Sequence, residues 1–364
     1  MEKEAGPLNM TWNDSWTADD FIFDKFKQDT IVIVIFVLAY LSILLLCVVG
    51  NLLVIVVVVW NRNMRTVTNF FITNLAVADL LVGVFCLPFN LADNILTSWP
   101  FGEAMCKVFL SVQVLSVSAS VFTLVAIAVD RYYAVVHPTS PRLTQTAVLY
   151  ILGTVWIVAA ATSAPQGLVL TSVTYEGVYT ADGQVLTACE EVWPGDHFKI
   201  GYSLGLFAMC YVFPLFIIAL LYVKVGLTIW NRSKPGNNQS RTLLNTVQHL
   251  GNSVSYSSHS STVAIHRVVM PQSSSPETQK KLHVIRMLLV VVVVFALSWL
   301  PLYILTIVSA FVEFTDDVTI VTYHYVFPVV RWMAFFNCGV NPIIYGYYNK
   351  NFQKGFYQLV RSSS

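Results

Sequence analysis

The chain has 364 residues, of which 56% are hydrophobic and only 11% charged, with a net charge of +1. An average soluble domain is about a quarter charged and under half apolar, so this chain has too little polar surface to cover a water-soluble globule. The same figures exclude a collagen-like or disordered chain, six Cys are too few for a disulfide scaffold, and no excess charge points to nucleic acid.

The first 29 residues are polar and acidic, without the apolar core of a cleavable signal peptide. They carry two sequons, at Asn9 and Asn13, which make sense only outside the cell, so 1–29 reads as an extracellular glycosylated tail. A helix crossing a bilayer needs ~20 apolar residues. Seven stretches supply them: Thr30 to Asn61, Thr66 to Ala92 with Asp79 inside, Val108 to Val129, Leu143 to Tyr175, Ile200 to Val223, Met287 to Val312, and Val318 to Asn349 broken only by Arg331. One such stretch could be a buried core helix; seven in succession imply an all-α membrane protein, a seven-transmembrane bundle over 30–348. Between the fifth and sixth, 228–279 is rich in Ser, Asn, Gln and Thr and reads as a long flexible intracellular loop. After the seventh, Phe352, Phe356, Tyr357 and Leu359 with Lys350 and Lys354 suggest a short amphipathic eighth helix, so 349–364 is that helix and a short cytoplasmic tail.

With the N-terminus outside, the inner segments hold 15 Lys and Arg against Asp130 and Glu277, and the outer segments hold 6 basic residues against 17 acids. This partition obeys the positive-inside rule and fixes the orientation.

Polar groups inside the membrane are costly and therefore candidates for function. Asp79 has Asn51, Ser120, Asn337 and Asn341 as possible partners on other spans. Those oxygens could hold a structural Na+, or form a hydrogen-bond knot without an ion. At the inner end of the third span, Asp130 could hold Arg131 by charge, leaving a donor able to change partners; the alternative is a positive-inside Arg with an incidental neighbour. Pro88, Pro165, Pro214, Pro301 and Pro342 fall within spans and permit hinges or static kinks.

Together these features resemble the rhodopsin-like G-protein-coupled receptors. The resemblance rests on Gly50-Asn51, on Asn74-Leu75-Ala76-Val77-Ala78-Asp79, on Asp130-Arg131-Tyr132 and on Trp156. It continues with Pro214 and Tyr222, with Phe295 and Trp299-Leu300-Pro301, and with Asn341-Pro342-Ile343-Ile344-Tyr345. It implies a disulfide between Cys106 and Cys189, a sodium pocket of Asp79, Ser120, Asn337 and Asn341 beside Trp299, and no further cofactor. It implies an activation switch built from Asp130, Arg131, Tyr132, Tyr222, Phe295, Trp299, Pro301, Asn341, Pro342 and Tyr345. The family often carries an acid near the inner end of span six that latches the arginine. Here that stretch is Lys280-Lys281-Leu282-His283, so Arg131 is expected to rest on Asp130 alone.

Gln113 lies 17 residues before Asp130, about 26 Å along a helix, which places it at the outer end of span three. Gln offers no charge to a monoamine, and span seven has no Lys for a retinal Schiff base. Gln113, Pro165-Gln166, Trp99-Pro100-Phe101-Gly102 and Cys189-Glu190-Glu191-Val192-Trp193-Pro194 resemble receptors of the neuropeptide FF, orexin and neuropeptide Y neighbourhood. That resemblance implies a β-hairpin lid over Ser172 to Gly195 and an amidated, basic peptide ligand. The expected ligand residues are Gln113, Gln166, Glu190, Glu191, Trp193, Asp93, Trp299, Tyr303, Thr306, His324 and Arg331, with Trp332 completing the wall. Glu313, Asp316 and Asp317 could steer a cation. Arg331 could pair with Asp93 or line the pocket. The implied partners are the peptide, a heterotrimeric G protein, arrestin, a receptor kinase and the lipid of the plasma membrane. The rival readings are a receptor of this fold for a lipid or other small molecule, and a transporter, which would need more intramembrane charges or internal repeats. No catalytic residues are expected, because no metal-ligand or nucleophile motif is present.

Overall fold

The structure, a computed structural model, describes residues 22–233, 276–312 and 315–362. The sequons, most of the long inner loop and Glu313 lie outside the described residues, as do the side chains of Lys280, Lys281 and Asp316.

Among the described residues, seven helices form the bundle. They are α1 (Thr30–Trp60), α2 (Val67–Ile95), α3 (Gly102–Val136), α4 (Gln145–Val169), α5 (Asp196–Phe207, Ala208–Val212 and Phe213–Ser233), α6 (Pro276–Phe311) and α7 (Asp316–Val321, Thr322–Val326 and Phe327–Tyr348). A separate helix, α8 (Lys350–Ser362), follows. The first six are long and apolar enough to cross a membrane; α7 carries Arg331, Asn337 and Asn341 and is more polar. In α1, Ile31, Leu38, Leu45, Leu52 and Val59 are exposed at seven-residue intervals, while Phe36, Tyr40, Ile43, Cys47, Asn51, Val54 and Val58 are buried. An apolar outer stripe, with the few polar groups such as Asn51 turned inward, suits a helix whose solvent is lipid. The fourth span ends sooner than expected: Leu170 to Tyr175 leave the helix and become strand.

Each π-helical segment, Val82–Cys86, Ala208–Val212 and Thr322–Val326, ends two residues before a proline: Pro88, Pro214 and Pro328. Proline lacks the N–H that would bond the carbonyl four residues back, and the wider π turn absorbs the mismatch. Freed carbonyls are caught by side chains. Asn51 Nδ2 donates to the Cys338 carbonyl, four before Pro342, at 2.9 Å. Gln28 Nε2 donates to the His324 carbonyl, four before Pro328, at 2.8 Å.

Outside the bundle, β2 (Leu170–Thr180) and β3 (Val185–Glu191) form an antiparallel hairpin, with Ser172 opposite Cys189. Its turn includes Gly183 at φ 81°, a conformation that favours glycine. The hairpin therefore spans 170–191 rather than 172–195, and Trp193 lies beyond it. The last part of the expected tail is also folded. Ile22–Phe23 (β1) pairs in parallel with Tyr179–Thr180, Lys25 lies 3.4 Å from Asp182, and Lys27 Nζ donates to the Asp93 carbonyl at 2.6 Å. Burial pushes the Lys27 amine down, and the Asp93 carboxylate partly opposes this.

Candidate functional site: an outer pocket wired to an inner arginine

The Cys106–Cys189 disulfide ties the hairpin to the start of α3. Beside it opens a cavity of about 630 Å³. Gln113 from α3, Gln166 from α4, Glu190 and Glu191 from β3, Trp299, Tyr303 and Thr306 from α6, and Arg331 from α7 all line it. Sequence reasoning thus placed eight residues on one concave surface. It missed Tyr175, Lys199, Tyr202, Ser203, Tyr323 and Phe327, which also line the cavity. Tyr175 lies opposite Leu186 in the hairpin and reaches Glu190 only through its long side chain, so no direct signal for it was present in the sequence; the others required the rotation of α5 and α7, which the sequence does not state.

Four expected wall residues are not among the lining residues. Asp93 is held against Arg331 Nη1 at 3.2 Å. Trp193 donates Nε1–H to Glu191 Oε2 at 2.9 Å and packs on Tyr202, so it holds a wall residue instead of being one. His324 falls in a π turn whose carbonyl is taken by Gln28. Trp332 donates to the Ala39 carbonyl at 3.1 Å and packs with the Tyr40 and Phe335 cluster. Arg331 does both things asked of it, since it pairs with Asp93 and lines the cavity. Its Nη1 also donates to Asn94 Oδ1 at 3.1 Å, and its guanidinium lies 5.6 Å from the Phe327 ring centre.

The polar groups of the cavity are oriented. Asn90 Nδ2 donates to Gln113 Oε1 at 3.3 Å, leaving the Gln113 NH2 as a donor for other partners. Gln166 Nε2 donates to Glu191 Oε1, and the Tyr175 hydroxyl donates to Glu190 Oε1, both at 2.7 Å. Burial and that bond to Glu190 push the Tyr175 phenol up, so it stays a donor. The charged lining residues are two acids, Glu190 and Glu191, and two bases, Lys199 and Arg331, with Arg331 balanced by Asp93.

An aromatic chain descends from the cavity. Tyr303 and Trp299 have ring centres 6.2 Å apart, Trp299 and Phe295 likewise 6.2 Å, and Tyr211 lies 6.4 Å from Phe295. Below Trp299, a void of about 10 Å³ is bounded by Asp79, Ser120, Phe295, Trp299 and Asn337 among others. Asn341 Nδ2 donates to Asp79 Oδ2 at 2.9 Å. Asn337 Oδ1 and Asn341 Oδ1 are buried without hydrogen-bond partners. Buried acceptors without donors beside a carboxylate fit a small hard cation better than a closed hydrogen-bond knot.

At the inner end, Arg131 Nε donates to Asp130 Oδ2 at 3.0 Å, and its Nη2 pairs with the same oxygen. Arg131 does not rest on Asp130 alone: Nη2 also donates to Thr68 Oγ1 of α2 at 2.6 Å. Tyr222, Tyr345 and Pro342 are placed in the same bundle core, and the Tyr345 hydroxyl is buried without a partner. Asn74 bridges Thr123 and Trp156 at 2.9 Å each, locking α2, α3 and α4 together.

A family model described as 7 transmembrane receptor (rhodopsin family) matches residues 50–345. Neuropeptide FF receptor 1 of Rattus norvegicus is 37% identical over 363 residues, covering 98% of this chain and 78% of that receptor. Neuropeptide FF receptor 2 of Mus musculus is 36% identical over 372 residues, covering 98% and 82%. The RYamide receptor of Drosophila melanogaster is 32% identical over 363 residues, covering 97% and 69%. The chain belongs to the rhodopsin family of seven-transmembrane receptors.

Proposed function

We propose that the chain is a plasma-membrane receptor, N-terminus outside, for an extracellular neuropeptide that is basic and C-terminally amidated, of the RFamide type. The relatives named for neuropeptide FF and RYamide support this reading. The observation that carries it is the cavity itself. Two lid carboxylates, Glu190 and Glu191, share one 630 Å³ space with Gln113, whose free amide NH2 suits a ligand carbonyl. A guanidinium would pair with the lid, and a neutral terminal amide would exchange donor and acceptor with Gln113 and Gln166.

Peptide binding favours a conformer in which α6 swings outward and the inner face takes a heterotrimeric G protein, by differential affinity for two states. Movement of Trp299 and Phe295 is the coupling, and Arg131 exchanges Asp130 and Thr68 for new partners near Tyr222 and Tyr345. Asp79, Ser120, Asn337 and Asn341 would hold Na+, which supplies a positive charge that stabilises the bundle before activation. Arrestin and a receptor kinase would act on the same inner face.

The test is a panel of amidated peptides, their free acids, lipids and amines, read by calcium or G-protein release in cells expressing the chain. A response to an RFamide-type peptide at low concentration, lost in the free acid, is expected. Silence to every peptide with a response to a lipid or amine overturns the ligand class.

A further inference from the structure

Five residues of α5 line the outer cavity: Lys199, Tyr202, Ser203, Leu206 and Cys210. Their helical spacing puts all five on one face. The polar end of that stripe belongs to Lys199 and Ser203, one turn or about 6 Å apart. Neither side chain makes a hydrogen bond or an ion pair among the described residues. Tyr202 differs, because its hydroxyl donates to the Thr162 carbonyl at 3.1 Å.

The acids of the cavity do not answer this cation. Glu191 is held through both oxygens, by Gln166 Nε2 at 2.7 Å and Trp193 Nε1 at 2.9 Å. Glu190 Oε1 accepts the Tyr175 hydroxyl at 2.7 Å. Trp193 also packs on Tyr202, with ring centres 5.2 Å apart, which fixes the Glu191 carboxylate relative to α5. Asp196, three residues before Lys199 in the first turn, forms no ion pair with it among the described residues. Arg331, the other base, is already met by Asp93. The cavity therefore keeps a negative lid apart from a positive α5 face. Two free donors four residues apart on one helix face suit the two oxygens of a single carboxylate.

Depth distinguishes a side-chain carboxylate from the ligand's own terminus. Ser118 Oγ and Cys210 Sγ are 3.3 Å apart, so α3 and α5 are level there. Gln113 lies five residues outward of Ser118, about 7.5 Å, and Lys199 eleven residues outward of Cys210, about 16.5 Å. Lys199 thus stands about 9 Å nearer the mouth than the glutamine assigned to the terminal amide, a distance of two to three extended residues.

We infer that Lys199 and Ser203 form a subsite for a side-chain carboxylate of the ligand, an Asp or Glu at least two residues before its amidated end. This rests on the peptide reading above and narrows it. The ligand carries both signs, its base toward Glu190 and Glu191 and its acid toward α5.

The test uses fluorescently labelled amidated peptides ending in Arg-Phe, with each earlier position made Glu, Gln or Lys in turn. Their direct binding to the whole receptor in nanodiscs is measured. At one position Glu should bind about tenfold tighter than Gln, the scale of one charge-assisted hydrogen bond. Lys199→Gln should remove that preference, and Ser203→Ala should reduce it. Lys199→Glu should invert it, so that the Lys peptide binds best, a gain that misfolding cannot produce. A Glu preference that survives Lys199→Gln overturns the subsite. If the Gln series binds and no position prefers Glu, the subsite falls and the peptide reading stands. If no series binds, both fall.

Discussion

Glu191→Gln is the most informative change at the outer pocket. The Glu191 carboxylate already accepts two bonds, from Gln166 Nε2 at 2.7 Å and Trp193 Nε1 at 2.9 Å, one on each oxygen. A carboxylate has about four lone-pair sites, so room remains for an arginine of the ligand. Glutamine keeps the shape but turns one oxygen into an NH2, and that NH2 must then face a donor, whichever way the amide is set. The substitution thus removes a charge-assisted bond worth about 1.5–3 kcal/mol and disturbs the lid as well. Glu191 is solvent-exposed, which argues for the lower end, about 1.5 kcal/mol or roughly tenfold in affinity. The two contributions separate in a double-mutant cycle on the ligand side. An amidated peptide and its arginine-to-citrulline analogue are titrated against wild type and Glu191→Gln by competition binding. The arginine peptide should lose about tenfold more than the citrulline peptide does, the excess being the pairing energy. Equal losses for both peptides would refute the pairing and leave Glu191 only a support for Gln166 and Trp193.

Two other outcomes follow from the bundle. Asp79→Asn should abolish the sodium dependence of agonist affinity, measured by competition binding with and without NaCl at constant ionic strength; an unchanged sodium effect would leave only a hydrogen-bond knot around Asn337 and Asn341. A Cβ on Gly50 would lie 2.8 Å from Pro342 Cβ and Cγ, whereas one on Gly339 would lie 3.3 Å from Leu46 Cβ. Gly50→Ala should therefore cost about 1–3 kcal/mol of overpacking and lower the melting temperature of detergent-solubilised receptor, with Gly339→Ala clearly milder; the reverse order would show that α1 and α7 are not as close as this packing requires.

What could be read without coordinates was what the bilayer itself enforces. A span must be long, apolar and nearly uncharged, so seven helices stand out, and asymmetric loop charge orients them. The chain's near-zero net charge concealed that asymmetry until it was divided by side. The end of α4 was less legible because Leu143 to Tyr175 carries no charge, and an apolar strand over Leu170 to Tyr175 looks like more helix. The pocket was legible where a residue's facing follows from helix arithmetic, as for Gln113, or from its place in the lid, as for Glu190 and Glu191.

Asp93 takes the Arg331 partner that the sequence offered for it, whereas Trp193 and His324 are each committed to a neighbour that the sequence does not reveal. His324 shows it best. Pro328 deprives the His324 carbonyl of its helical donor, and the turn there widens into a π segment. The carbonyl is satisfied by Gln28, in a segment that read as tail, while the Gln28 amide also reaches the Asn94 carbonyl at 2.9 Å. Asn94 in turn receives Arg331 and donates to the Tyr40 hydroxyl, which donates to the Pro328 carbonyl at 2.8 Å. One missing N–H thus recruits the N-terminal segment, α1, α2 and α7 into a single polar network, and His324 is set by that network and not by the pocket. Helix facing extrapolated through a proline-linked π turn is off by the inserted residue, so the outer ends of α2, α5 and α7 are where positional reasoning is weakest, as His324 on α7 shows.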